Sequence, residues 1–283
     1  MEQTPTPKRR SFRWLIKLMN FDEPIRFFQQ LLLVLTGILV ALDISVYPLA
    51  TNFVQNLIIE AHGIIPDLLI FGILMTVYER WREKVTVHKE SLETYMGQNT
   101  PEATEAIIRI VKEMNKLDAS RFHLSECTLA QQDLRHCDFT GSSLHRVNFE
   151  AADLTLAELD KCRMRDVNFA NAVLRSVTFY GSDLDKIDFS GAKLNDVNFQ
   201  KADLRFVDFS NADLRFWKHA PEFIENINLE GAIVEYKNWI KRRLVDQDVM
   251  GWRQVTDTFE VDATPYTDER GTYYIIKRRA GTS

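Results

Sequence analysis

The sequence predicts a mainly β solenoid preceded by a membrane-spanning helical hairpin and closed by a small α+β cap. Three observations predict this. From Leu124 to Leu214, every fifth residue is apolar, as in Leu194, Phe199, Leu204, Phe209 and Leu214. Upstream lies an apolar run, residues 27–47, long enough to cross a hydrocarbon core of about 30 Å, and a second apolar segment follows at residues 64–81. After Tyr236 the five-residue pattern is lost, so a different fold ends the chain.

A period of five is neither the two of a strand nor the 3.6 of a helix. A repeat this short implies a solenoid, in which each unit buries its apolar face only against its neighbours. Two residues before each marker sits a smaller residue, such as Ala152, Ala172, Ala192 and Ala202, or Val147, Val167 and Val197. These pairs point inward. Polar residues between them, such as Asp203, Asp208 and Asp213, point outward.

Residues 202–216 read "ADLRF VDFSN ADLRF". This resembles the pentapeptide-repeat family, whose motif is Ala, then Asp or Asn, then Leu or Phe, then two variable residues. The resemblance covers residues 122–216 directly. It implies a right-handed quadrilateral β-helix with four units per coil. Folded at that period, the markers sort by type. One face collects Leu129, Phe149, Phe169, Phe189 and Phe209, and the opposite face Phe139, Leu159, Phe179 and Phe199. Identical rings then stack at roughly strand spacing, about 4.8 Å per coil.

Composition sets wider bounds. With 283 residues, 45% of them hydrophobic, and a net charge of -5, the chain can hold more than one domain and is not strongly polarised. Cys127, Cys137 and Cys162 all fall at the small inward position, where reduced thiols serve as small apolar groups. Their spacing matches no zinc pattern, and an odd count argues against a disulfide framework.

Residues 1–26 carry Lys8, Arg9, Arg10, Arg13 and Lys17, with Phe12, Leu15, Ile16 and Met19 at helical spacing. They read as a basic amphipathic segment on an anionic lipid surface, or as charges that only orient the next segment. The hairpin occupies residues 27–81. Its connector, residues 48–63, has no lysine or arginine, so both ends face the cytoplasm by the positive-inside bias. The expected setting is an inner membrane of bacterial type, with both termini and the solenoid cytoplasmic. Asp43 lies deepest in the hairpin and is the candidate intramembrane functional residue, against simple anchoring.

Residues 82–119 form a helical linker. Leu74, Tyr78, Trp81, Val85, His88, Leu92 and Tyr95 make a heptad stripe. After "MGQNTPE" a second helix, residues 101–117, carries Ile107, Ile110, Val111, Met114 and Leu117. Either the two stripes bury each other in an antiparallel hairpin, or the first drives self-association. The second helix abuts the first coil as its cap.

The solenoid is assigned residues 120–235, continuing through an irregular corner near His219 and Pro221. Its outer surface balances 15 acidic against 12 basic residues between residues 120 and 216. The resemblance also raises the DNA mimicry of topoisomerase-protecting members, but a balanced surface lacks the required density of negative charge, and no nucleic-acid partner is expected. Arg146, Arg163 and Arg165 fall together on one face, and Asp183 and Asp185 lie one coil later. Phe206 and Phe216 face outward on opposite sides, either under the C-terminal segment or as a partner surface.

Residues 236–283 read as a short helix, "YKNWIKRRLVDQ", and two strands, "RQVTDTFEVD" and "TYYIIKRR". No motif points to catalysis, a cofactor or a metal. The expected function is therefore a non-enzymatic, membrane-anchored scaffold or regulatory subunit that binds a membrane or cytoplasmic protein. The alternative is an oligomeric channel or transport component whose hairpin lines a pore.

Overall fold

The structure, a computed structural model, describes residues 52–269 and 271–280. The basic segment, the first apolar run and Asp43 lie outside them. The chain divides into two compact units, Met1–Lys84 and Val85–Ser283.

In the first unit, α1 (Asn52–Tyr95) already contains most of the predicted connector. The expected loop over residues 52–63 is therefore helix. The reason is local: Leu57, Ile58, Ile59, Glu60 and Ala61 contain no breaker, and low Lys and Arg content marks topology rather than a turn. Ile70, Phe71, Leu74, Tyr78 and Trp81 are exposed along this helix. Among the described residues, no helix is long and apolar enough to cross a membrane. Asp67 and Glu79 bracket the apolar stretch of α1 closely, well short of the about 20 residues a span needs. The predicted transmembrane hairpin is thus not established by the described residues.

In the second unit, Val85 and Leu92 of α1 are buried in one apolar cluster with Ile107, Ile110, Val111 and Met114 of α2 (Pro101–Lys116). The heptad stripe is therefore buried only from Val85 onward. Thr100 caps α2 by accepting a bond from the Ala103 amide, and Pro101 takes the first turn. The same cluster contains Phe122 and Leu124 of the first coil. α2 also supplies polar partners to that coil's open edge. Thr104 Oγ1 donates to the Thr128 carbonyl at 3.0 Å. Asn115 Nδ2 donates to the Asp138 carbonyl at 2.7 Å, and the Asp138 amide donates back to Asn115 Oδ1 at 2.9 Å.

The solenoid comes next. β1 (His123–Ser125), β2 (Ser143–His145), β3 (Arg163–Asn168), β4 (Asp183–Asp188), β5 (Asp203–Arg205) and β6 (Phe223–Glu225) form a parallel sheet in chain order. Its register advances 20 residues per coil, pairing Leu124 with Leu144 and Leu144 with Met164. The other faces are joined by single bridges at the same spacing, such as Asn148 to Asn168 and Asp153 to Val173. Every fifth residue has positive φ, as at Gln131, His136, Gly141 and Arg146, and these left-handed residues are the four corners of a coil. Inside, Phe149, Phe169, Phe189 and Phe209 stack at 5.0 to 5.3 Å, and Phe179 on Phe199 at 5.0 Å. The two ladders meet edge to face, filling the bore.

Pro221 falls where a left-handed corner is due, and its ring fixes φ near −65°. The coil responds by gaining a residue, so that Asn198 bridges His219 and not residue 218. His219, the next marker in sequence, is exposed; Trp217 turns inward instead, 4.9 Å from Phe199. The register then recovers at Ile224.

The cap begins with a π-helical turn (Lys241–Val245) and buries Trp239, Ile240 and Leu244. Residues 253–258, read from sequence as strand, fall instead in α3 (Trp252–Thr258). Val255, Thr256 and Thr258 are β-branched, but Gly251 at φ 91° turns the chain and Val255 packs into the core. β8 (Phe259–Val261) and β9 (Tyr266–Asp268) both pair with β10 (Gly271–Arg278). β10 also pairs with β7 (Ile233–Val234), and Met250 bridges Phe223, so the cap covers the last coil.

Candidate interaction surface

The Asp or Asn before each marker has a local job on three faces. On one of them Asn148, Asn168, Asp188, Asp208 and Asn228 each accept the backbone N–H two residues ahead through Oδ1. Asp153, Asp213 and Asn198 do the same on the others. These are Asx turns, which hold the next corner.

On the β1–β6 face the chain is extended, and the same position holds His123, Ser143, Arg163, Asp183, Asp203 and Phe223. Their side chains project outward from the sheet. The second outward column reads Ser125, His145, Arg165, Asp185, Arg205 and Glu225. Together they divide lengthwise. Within these two columns, the first three strands place two arginines, two histidines and no carboxylate, and the last three place four carboxylates and one arginine.

Of the residues singled out in the sequence, Arg163 and Arg165 sit side by side on β3. Arg146 occupies the flanking corner, and Phe206 lies on the same corner column further along. Phe216 occupies a different corner, in the column of Leu156. Both phenylalanines adopt left-handed conformations, at φ 53° and 66°, and are 52% and 61% exposed. Among the described residues, the C-terminal segment leaves both exposed. It lies instead over Arg215, whose guanidinium is 5.8 Å from the Tyr273 ring.

Arg165 pairs with Asp185 at 3.1 Å and Arg146 with Glu126 at 2.9 Å. Arg205 bridges Asp183 and Asp203 at 3.0 and 3.1 Å. Exposed pairs of this kind contribute roughly 0–1 kcal/mol each. Arg163 has no ion pair among the described residues. A shallow concavity of about 340 Å³ runs over Arg163, Arg165, Asp183 and Asp185.

Two features escape sequence reading. Leu156 is exposed like Phe206 and Phe216 because all three are the second residue after a marker, a positional signal that the repeat itself carries. The Asp213–Arg215 pair resembles its exposed counterparts in sequence, yet both side chains are only 8% exposed, joined through 2.7 and 2.8 Å bonds. Burial pushes the Asp213 carboxyl up, but hydrogen bonds from Arg215 and Asn195 outweigh it and hold the carboxyl below its ordinary 3.8. The three cysteines are free and buried, and burial raises Cys127 and Cys162 to about 12 and Cys137 to about 11. They are inert thiols at neutral pH. Among the described residues, no group of His, Cys, Asp or Glu could hold a metal ion.

Comparison with known proteins gives a family-model match to part of the chain. The family model described as "Pentapeptide repeat region" matches residues 120–189 and 152–232. HetL, a pentapeptide repeat protein involved in heterocyst differentiation regulation from the cyanobacterium Nostoc sp. strain PCC 7120, is 29% identical over 40% of this chain and 48% of its own, with a TM-score of 0.29. QnrB1, a plasmid-mediated fluoroquinolone resistance protein, is 22% identical over 38% of this chain and 56% of its own, with a TM-score of 0.28. A pentapeptide repeat protein from the Arabidopsis thaliana thylakoid lumen is 24% identical over 41% of this chain and 67% of its own, with a TM-score of 0.20. The chain spans about half the length of HetL and of QnrB1. No curated protein matches it. The family model lies over the four-cornered coil of five-residue units, across residues 120–232.

Proposed function

We propose that the chain is a non-enzymatic interaction module whose β1–β6 face binds a protein, held at a membrane by its N-terminal part. One observation carries the reading: this face leaves its outward side chains free of Asx turns and presents them in columns at strand spacing. The filled interior leaves the solenoid its outer surface for binding. Membrane attachment is supported by the apolar run at residues 27–47, the exposed apolar residues of α1 and the Arg80, Arg82 and Lys84 group behind them. That distribution favours a cytoplasmic solenoid and a membrane or cytoplasmic protein as partner.

The test places a photo-crosslinking residue at Phe206 or Arg146, with Arg175 on another face as control, in the full chain within native membranes. Specific adducts from Phe206 and Arg146 alone support the reading. Equal adducts from Arg175, or none from either, overturn it. Extraction of the chain by alkaline carbonate would overturn the membrane attachment separately.

A further inference from the structure

We propose that the β1–β6 face is the interface for a second copy of this chain, packed face to face with its solenoid axis antiparallel. This rests on the reading of that face as a docking surface and names its partner. The lengthwise division of charge is the starting point, because a face that is cationic at one end and anionic at the other is complementary to itself when reversed.

The register makes the match specific. Let a two-fold axis lie in the interface, across the solenoid and midway between β3 and β4. Arg163 then meets the partner's Asp183, and Arg165 meets the partner's Asp185. On the flanking corner column, Asp166 meets the partner's Lys186, and Arg146 meets the ring of the partner's Phe206. Each contact occurs twice by symmetry. Arg163, which has no ion pair among the described residues of its own chain, gains one. Phe206, exposed and held at positive φ, gains a guanidinium over its ring, a favourable cation–π arrangement.

Other arrangements fail on the same residues. A parallel pair sets Arg163 against the partner's Arg165 and Asp183 against the partner's Asp185. Shifting the antiparallel pair by one coil sets either Arg163 against the partner's Arg163 or Asp183 against the partner's Asp183. Of these arrangements, the central antiparallel register alone avoids like charges at these rows and pairs both arginines of β3 with carboxylates.

The size of the face sets the strength. Six strands span about 24 Å at about 4.8 Å per step, so the face falls short of the ~800 Å² per partner of a standard stable interface. The association is therefore weak, driven by charge and sensitive to salt.

Sedimentation velocity of the full chain in mild non-ionic detergent, over a range of concentration and salt, tests this with Arg163→Asp, Asp183→Arg, the double variant and Arg175→Asp. The wild type should dimerise reversibly and dissociate as salt rises. Each single charge reversal should weaken association about tenfold or more, since it creates two like-charge contacts. The double variant should recover to near wild type, because the pair is restored with its signs exchanged, and Arg175→Asp should change nothing. Should a single reversal fail to fold by circular dichroism, Phe206→Ala, which removes only the ring, should weaken dimerisation several-fold. A wild type monomeric at all concentrations, a dimer indifferent to Arg163→Asp, or a double variant as weak as the singles would overturn the proposal. A monomer that still crosslinks to a different protein through Phe206 would overturn the second copy as partner and leave the docking face standing.

Discussion

Phe206 and Phe216 occupy a backbone conformation that Gly141, Gly181, Gly191 and Gly231 take at the equivalent corner of other units. For a residue with a Cβ, the left-handed region costs roughly 1–2 kcal/mol, while glycine loses about 0.5–1 kcal/mol of chain entropy on folding. Replacing either phenylalanine with glycine should therefore raise stability by a net of about 0.5–1 kcal/mol, seen as a higher denaturant midpoint with unchanged slope. A lower midpoint would mean that the rings pack and contribute to the fold. Stability gained together with weaker self-association for Phe206→Gly would place that ring in binding. Asp213 behaves oppositely. Its carboxyl sits below 3.8 in the folded chain, so the stability it contributes is present above that value and is lost as pH falls below it. Asp213→Asn leaves a buried guanidinium without its anion and should cost about 3 kcal/mol at pH 7. The difference from wild type should narrow as pH drops below 3.8, which urea unfolding at pH 7 and pH 3 would measure.

At the level of elements, the ends of the solenoid carry the exposed backbone groups that would otherwise pair with another chain. Asn115 satisfies both the donor and the acceptor of Asp138 through its amide. Asn115→Ala should destabilise by about 1–3 kcal/mol, as expected for orphaned partly buried groups. Hydrogen exchange at the Asp138 amide should rise more than at Phe179; an unchanged Asp138 rate would show that α2 caps by apolar contact alone. At the other end, Gly251 has positive φ, and a methyl there would collide with the Ile224 carbonyl oxygen. The coil was legible in the sequence because its contacts repeat at a fixed offset along the chain, so Leu144 over Leu124 is arithmetic. The caps were less so: Asn115 looks like any surface asparagine until α2 is laid on the coil. Residues 253–258 differ from the strand expectation because their β-branched side chains report local preference, while Gly251 and the burial of Val255 decide the helix. The grouping of Arg163 and Arg165 could be counted out in advance, but the freedom of that face could not, since it depends on extended backbone replacing Asx turns.

Across the whole molecule, each coil of the solenoid touches mainly the one before and the one after, so stability is close to a sum of coil and interface terms. Phe189 is the test of how far a local loss spreads. Its ring lies 5.1 Å from Phe169 and 5.3 Å from Phe209 in its own ladder, and 5.8 Å from Phe179 across the bore. Phe189→Ala removes one rung from a close-packed interior that stacked rings cannot easily collapse to fill, so about 3–5 kcal/mol should be lost. In a nearest-neighbour solenoid, the resulting gain in amide exchange should centre on the coils holding Phe169, Phe189 and Phe209. Amides of α2, and of β10 in the C-terminal cap, should keep most of their protection, because neither packs against that rung. Peptide-resolved hydrogen exchange of the full chain distinguishes the alternatives. Uniform loss of protection from α2 to β10 would mean that the caps and coils unfold as one unit, and the rod would then transmit a disturbance at one end of the β1–β6 face to the other.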